Sequence, residues 1–319
     1  MNRIAVISAF LGDVKNRYMQ YQPARTIREK IELAARIQGV EGLELCYPAD
    51  FDDPKELKQL MDDNGLGVSA VNARSRRQGK WLRGSFSSEN SAERDEVVED
   101  FKRAADAALA VGTNRITTCP LNDGHDYVFE TNYLDAYRYA QDSFARICSA
   151  SPEVNFCIEY KINDPRTRCL IASAGETAAF CLQVGLPNLG ATMDFGHSIL
   201  AGERPAQALA LLHSVGRLFY VHINDNDRNW DWDMLPGAFN LLELVEFFYY
   251  LKKIGYTDDW YAYDIMAKEI DLKDTFETAV QITRKGEEMA GKMNPAQTDG
   301  IMRKRNPVQA MAAMYEAIF

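Results

Sequence analysis

The sequence is short of histidine and has no paired cysteines. Its six cysteines include no CxxC pair, which argues against a disulfide framework and a cysteine-ligated structural zinc, and fits a reducing compartment. No apolar run approaches the roughly 18–20 residues that span a bilayer, so no membrane partner is expected. Cationic charge is in deficit: 36 Lys and Arg face 46 Asp and Glu, a formal net charge of −10. Nucleic-acid affinity rests largely on counterion release by cations, so a nucleic-acid partner is not expected either. No GxGxxG follows the first apolar run, MNRIAVISAFLGDV, which removes the main support for a doubly wound dinucleotide fold. Gly12 and Asp13 break that opening stretch, and it reads as a first strand, not a secretory leader. The expectation is a soluble, cytoplasmic protein.

What is present is alternation. Apolar residues make up 46% of the chain and charged residues 26%, enough for a sizeable core and inconsistent with wholesale disorder. Eight short apolar runs lie at 3–9, 42–46, 67–71, 115–119, 155–161, 190–194, 218–224 and 260–264. Amphipathic segments lie between them, at 24–38, 54–64, 92–111, 132–150, 175–184, 205–214, 241–254 and 272–289. In the third of these, Val97, Phe101, Ala104, Ala105 and Ala108 recur at helical spacing. Alternating βα units with short turns imply parallel strands, and eight of them predict an α/β fold of the closed (β/α)8 TIM-barrel type over residues 1–290. A chain of 319 residues suits one such barrel with an extension. Residues 291–319 break the rhythm: 292–306 is polar with Pro295 and Gly300, while 307–319 sets Val308, Met311, Met314, Tyr315 and Ile318 on one helical face. This C-terminal helical extension either packs on its own barrel or reaches a neighbouring subunit of a homodimer or homotetramer; both readings stay open.

Barrels of this kind carry their reacting groups at the C-terminal ends of the strands. The fifth run ends in Ile158-Glu159-Tyr160-Lys161, so strand alternation points Glu159 and Lys161 one way and Tyr160 the other. Two charges facing a barrel interior are costly unless paired or bound to metal. The sixth run ends in Asp194-Phe195-Gly196-His197, where Gly196 permits the turn that returns His197 to the mouth. The seventh ends in His222-Ile223-Asn224 and the eighth in Tyr263-Asp264. A single strand-end carboxylate is usually a helix cap, and a single histidine is usually a core residue. Here two of only four histidines fall beside carboxylates on adjacent strands, which predicts a metal site. The loop after the seventh run continues to Trp230-Asp231-Trp232-Asp233. If it is extended, Asp231 and Asp233 share a side and can hold a second ion with His197, while the tryptophans anchor the loop. Oxygen-rich donors with one or two imidazoles suit Mn²⁺, Mg²⁺ or Co²⁺.

The order Glu-x-Lys, Asp-x-x-His, His, Asp-x-Asp and a final Asp resembles the two-metal site of the xylose-isomerase-like TIM-barrel superfamily, and within it the L-rhamnose isomerase type. The resemblance covers most of residues 1–290, with its specific motifs within 155–265. It implies a metal-dependent aldose–ketose isomerase that acts on a free sugar or sugar derivative by a hydride shift between C1 and C2. It implies a structural metal on Glu159, Asp194, His222 and Asp264, and a catalytic metal on His197, Asp231 and Asp233, with Asp194 bridging and Mn²⁺ as the expected ion. Lys161 is implied as the hydrogen-bond donor to the substrate's O1. The catalytic candidates are thus Lys161, Glu159, Asp264, His197 and Asp231. Xylose isomerase itself has Glu where Asp194 stands and Asp where His222 stands. No histidine ends runs one to three to open a sugar ring, which leaves His125 as the rim candidate. Trp81 and Trp230 are placed to stack on a sugar's apolar face.

Three rivals bear comparison. A single-metal ketose 3-epimerase would use Glu159 and Asp264 as an acid/base pair, but Asp264 is short and Lys161 and Asp231-x-Asp233 would be left without use. A DNA-repair endonuclease on the same barrel calls for many histidines and a basic face. A non-catalytic binding barrel would be expected to lack some of the ligands. Finally, Arg74, Arg76, Arg77, Lys80 and Arg83 follow the third run; a solvated loop or subunit contact is the commoner use of such a stretch, and reception of an anionic group is the other.

Overall fold

The structure, a computed structural model, describes residues 1–16, 18–164 and 167–319. Eight parallel strands form a closed barrel in chain order: β1 (Arg3–Ile7), β2 (Gly42–Tyr47), β3 (Gly67–Ala73), β4 (Arg115–Thr118), β5 (Asn155–Glu159), β6 (Leu189–Asp194), β7 (Leu218–Ile223) and β8 (Trp260–Tyr263). β8 closes the ring on β1. Every expected apolar run is one of these strands, because a strand covered by helices outside and side chains inside must be apolar on both faces.

The helices outside the barrel start where local chemistry allows. Thr26 and Glu29 form a reciprocal capping box for Ile27–Ala34. Asp53 caps Pro54–Asp63, with Pro54 in the first turn, where its missing N–H is harmless. Helix faces and outer strand faces enclose the main core, in which Phe86 lies 5.0 Å from Phe101 and 4.4 Å from Phe144 between ring centroids. The barrel interior is narrower and is filled by small residues such as Ala5, Ala70, Cys157 and Ala262 around Tyr220. The Tyr220 hydroxyl donates to Ser69 Oγ at 2.8 Å, and Thr117 and Thr192 share a hydrogen bond of 2.7 Å. The lower end is plugged by Trp260. A Cβ on Gly42 would lie 2.4 Å from the Gly67 carbonyl oxygen and 2.6 Å from the Trp260 ring, so only glycine fits there. Small ligands must therefore reach the interior from the opposite mouth.

Three elements differ from expectation. A short helix, Phe195–Leu200, starts directly from β6. A small antiparallel sheet joins Gly124–His125, Thr167–Cys169 and Asn163–Asp164 over the mouth loops. The polar stretch after the long helix Leu272–Lys292 is itself helical over Pro295–Lys304, because Asn294 caps it and Pro295 enters the first turn. The last helix, Pro307–Ile318, turns Ala317 inward and leaves Val308, Met311 and Tyr315 exposed, as is Phe319 just beyond it. No helix among the described residues is long and apolar enough to cross a membrane.

Candidate metal centre and active site

Strand register sets the site. His222 on β7 lies beside Asp194 on β6, and Glu159 on β5 lies beside Thr192 on β6. Glu159, Asp194, His197 and Asp264 converge so that one donor atom from each lies within 4.8 Å of the others. Asp194 serves two purposes: its Oδ1 caps the helix Phe195–Leu200 by accepting from the His197 N–H at 2.7 Å, and its Oδ2 accepts from Asn224 Nδ2 at 3.1 Å. Gly196 makes this turn possible, since a Cβ there would fall 2.3 Å from Asn224 Oδ1. His222 faces the same group through Nδ1, 3.1 Å from Glu159 Oε1 and 3.8 Å from Asp194 Oδ2. Its Nε2 lies 2.9 Å from Glu44 Oε2. An imidazole that donates from one nitrogen to a carboxylate presents the other as a metal ligand.

The loop after β7 brings a second group. Asp231 Oδ2 lies 2.5 Å from Lys161 Nζ and 3.3 Å from His197 Nε2. Asp233 lies beside them in the same cavity. The loop is clamped at both ends: Asp225 and Met234 exchange backbone hydrogen bonds of 3.0 and 2.9 Å, and the Met266 N–H donates to the Asp233 carbonyl at 2.8 Å. The buried Asp225 carboxylate accepts from the N–H groups of Phe239 and Asn240 and from Asn240 Nδ2. Trp232 anchors the crown through Nε1 to Asp227 at 2.7 Å.

The charges show what such a cluster needs. Burial would raise Glu159, but His222 beside it outweighs that and holds it down at about 2. Burial, reinforced by Glu159 and Asp194, pushes Asp264 up to about 8. Burial and the charges of Asp264 and Asp231 also push Asp233 far above the usual carboxylate range. Burial would lower His197, yet Asp194 and Asp231 raise it to about 10. Unneutralised negative charge is thus being met by protons. His197 Nδ1 and Asp231 Oδ1 are buried without a hydrogen-bond partner, and buried polar atoms of this kind are rare unless something else meets them. A divalent cation fits this donor set: carboxylates and imidazoles converge, thiolates are absent from it, and a cation would replace the protons.

The model of the family described as "Xylose isomerase-like TIM barrel" matches residues 31–285. The chain belongs to that family. The xylose isomerase of Thermus thermophilus is 25% identical over 213 residues, 60% of this chain and 53% of that protein, so the chain spans about half the length of the curated relative it matches. A solved D-tagatose 3-epimerase-like protein superposes with a TM-score of 0.70 at 17% identity, over 91% of this chain and 98% of that one. The 3-keto-D-glucoside 4-epimerase of E. coli gives a TM-score of 0.66 at 17% identity, over 89% of this chain and 99% of that one. At such identities the solved neighbours speak for the fold.

In this xylose isomerase-like barrel the metal-side cavity measures about 260 Å³ and is lined by Lys161, His197, Asp231, Asp233, Asp264 and Arg74, among others. Three residues singled out from the sequence for substrate contact are not brought to it. Trp81 is buried, donating from Nε1 to Glu96 Oε2 at 3.1 Å, and His125 packs edge-on to Tyr133. Both line a separate cavity of about 540 Å³ between the loops after β3 and β4. Trp230 sits half-buried on the β7 loop and lines neither. The basic stretch divides in the same way. Arg77 pairs with Asp100 and Lys80 with Glu96, and Arg83 lies at the second cavity, whereas Arg74 and Arg76 line the first. Glu44 escaped the sequence reading, although its signal is there: a lone carboxylate inside the apolar run Gly42-Leu43-Glu44-Leu45-Cys46.

Proposed function

We propose that the protein is an aldose–ketose isomerase of the L-rhamnose isomerase type, acting on a free sugar or sugar derivative with two divalent ions, Mn²⁺ foremost and Mg²⁺ or Co²⁺ as substitutes. The observation that carries this reading is the hydrogen-bonded series Lys161–Asp231–His197 in the cavity, beside the Glu159, Asp194 and Asp264 cluster. A carbon epimerase needs an acid/base group on each face of one carbon and has no evident use for a lysine held in this way. In this reading Glu159, Asp194, His222 and Asp264 would hold one ion, and His197, Asp231 and Asp233 would hold the other. When bound, such ions polarise a carbonyl and its neighbouring hydroxyl and lower the pKa of bound water. Lys161 donates to O1 as negative charge grows there, the use of a preorganised donor that accelerates most. Asp231, held as a carboxylate by His197 and Lys161 against its burial, would orient O2 and not compete for its proton. That proton would leave through water in the cavity, hydrogen would pass from C2 to C1 as hydride with no side chain touching carbon, and the O1 oxyanion beside Lys161 would take the proton back.

A second reading, the single-metal ketose 3-epimerase with Glu159 and Asp264 as its acid/base pair, has one observation in its favour. The two carboxyls are driven in opposite directions, to about 2 and about 8, and divergent values are how environments assign acid and base roles. The test is conversion of a C2-deuterated aldose in water by the Mn²⁺-loaded enzyme. Retention of the label on C1 is expected; complete washout moves the chemistry to proton transfer and to the epimerase. Exhaustive chelation should abolish activity and added Mn²⁺ or Co²⁺ restore it, and undiminished activity after chelation overturns both readings.

A further inference from the structure

Among the described residues, the cations that line the metal-side cavity are matched by carboxylates with one exception. Lys161 pairs with Asp231 at 2.5 Å, Lys15 with Asp13 at 2.6 Å, and Arg76 with Asp164. Arg74 is the exception. It follows β3 directly, with its backbone N–H donating to the Tyr47 carbonyl at 3.2 Å, and its side chain is part of the cavity wall. The guanidinium donates from Nη2 to Cys46 Sγ at 3.5 Å, and sulfur is a weak acceptor. The two carboxylates whose charge acts on it, Asp264 and Glu44, form no ion pair with it: Glu44 accepts from His222 and Asn72, and Asp264 belongs to the cluster with Glu159, Asp194 and His197.

A guanidinium presents five N–H donors in a planar fork. One of them meets the Cys46 sulfur, and the others face the open cavity from a half-buried wall. Water meets donors singly, whereas an oxyanion meets two at once together with the charge. The topology places this fork usefully. β3 and β7 lie four places apart in a ring of eight strands, so Arg74 after β3 stands across the mouth from Asp231 and Asp233 after β7. A sugar held at C1 and C2 by the β7 side presents its far end to Arg74. The cavity of about 260 Å³ falls below the roughly 300–1,000 Å³ of drug-sized sites, which suits a single monosaccharide spanning both walls.

We propose that Arg74 is a substrate-recognition residue that receives a terminal oxyanion of the sugar: a carboxylate, sulfonate or phosphate on the carbon farthest from the reacting end. This deepens the aldose–ketose reading and rests on it for the polyol chain between the two ends. The test compares Mn²⁺-loaded wild type, Arg74→Gln, Arg74→Lys and, as a control for charge alone, Arg83→Gln. Each is titrated calorimetrically with glucitol 6-phosphate and with glucitol at about 0.15 M salt. Each is also assayed on matched hexoses, hexuronates and hexose 6-phosphates.

The expected result is a preference of about tenfold or more for the phosphorylated polyol in wild type and Arg83→Gln. Arg74→Gln should lose that preference, Arg74→Lys should keep only part of it, and in the assays Arg74→Gln should raise KM for the anionic sugars far more than it lowers kcat. Equal binding of the two polyols by wild type, or a full preference retained in Arg74→Gln, overturns the assignment. If Arg74→Gln does not fold, Arg74→Lys decides: a reduced preference supports the fork and an undiminished one counts against it. An Arg74-dependent preference without turnover of any sugar leaves this assignment standing and removes the isomerase reading. Brisk turnover of neutral sugars with no such preference does the reverse.

Discussion

Replacing Glu44 by Gln isolates the support behind the metal centre from the centre itself. Glu44 is fully buried; its Oε2 accepts from His222 Nε2 at 2.9 Å and its Oε1 from Asn72 Nδ2 at 2.7 Å. Gln keeps the shape and a carbonyl oxygen for His222 but removes the charge. Carboxylate partners of ligating histidines change metal affinity by about 10–100-fold, or about 1.4–2.7 kcal/mol. A second effect opposes this. Burial would lower His222, but Glu44 and Glu159 hold it well above its ordinary value, and an incoming metal must displace that proton. Gln weakens the hold on the proton and so eases binding where proton competition is strongest. The two effects separate with pH. The ratio of wild-type to Glu44→Gln affinity for Mn²⁺ should be small near pH 6.5 and grow towards pH 8.5, where the full deficit of about 10–100-fold emerges. Titration calorimetry at the two pH values reads it directly, with thermal melting to verify that the variant is folded. A ratio near one at pH 8.5 in a folded variant refutes the reasoning: either Glu44 does not act through His222, or His222 binds no metal.

Lys161→Met should reduce turnover by about 10²–10³-fold, the cost of one preorganised donor to a developing oxyanion, while Mn²⁺ affinity changes far less; an unchanged rate assigns Lys161 to structure alone. The chelated protein should lose stability as pH rises. Burial, with Glu159 and Asp194, lifts Asp264 to about 8, so between about pH 4 and 8 the folded chain keeps a proton that the unfolded chain has released, and stability falls with pH. His197, held at about 10 by Asp194 and Asp231 against its burial, acts in the same direction: its contribution is complete below about pH 6.5 and is lost towards 10. Melting temperature in chelator should therefore decline from pH 6 to 9, and saturating Mn²⁺ should remove most of the decline; identical slopes with and without Mn²⁺ would show that the cation does not neutralise this cluster.

The barrel was readable because each βα unit carries its own local signals, an apolar run, an amphipathic stretch and a capping residue, and these need no knowledge of distant partners. The convergence of Glu159, Asp194, His197 and Asp264 was readable for a related reason: once the strands are known, the C-terminal end of each one names its residue. What lay beyond reach is what depends on packing between distant segments. Glu44 supports His222 across 178 residues, and no local pattern announces that pairing. Trp81 and His125 follow strand ends, yet a strand end does not say whether its loop folds over the mouth or away from it. Here Lys80 and Trp81 are both drawn to Glu96 on the helix Ser91–Ala110, which carries Trp81 outward. Asp194 shows that the commonplace role and the special one can coincide, since a single carboxylate caps a helix and joins the cluster.

The clamp on the β7 loop has an evolutionary consequence. Asp231 and Asp233 are held from below by the Asp225–Met234 rungs and by Met266, while Asn229 and Trp230 sit in the outward arc without holding either carboxylate in place. Such an arrangement is modular: the arc is free to drift, lengthen or acquire new contacts while the chemistry beneath it stays in register. A directed-evolution library confined to positions 229 and 230, neither of which lines the cavity, would change the loop's outer contacts while the carboxylates beneath stay in register, which makes this short arc the tolerant part of the barrel's rim.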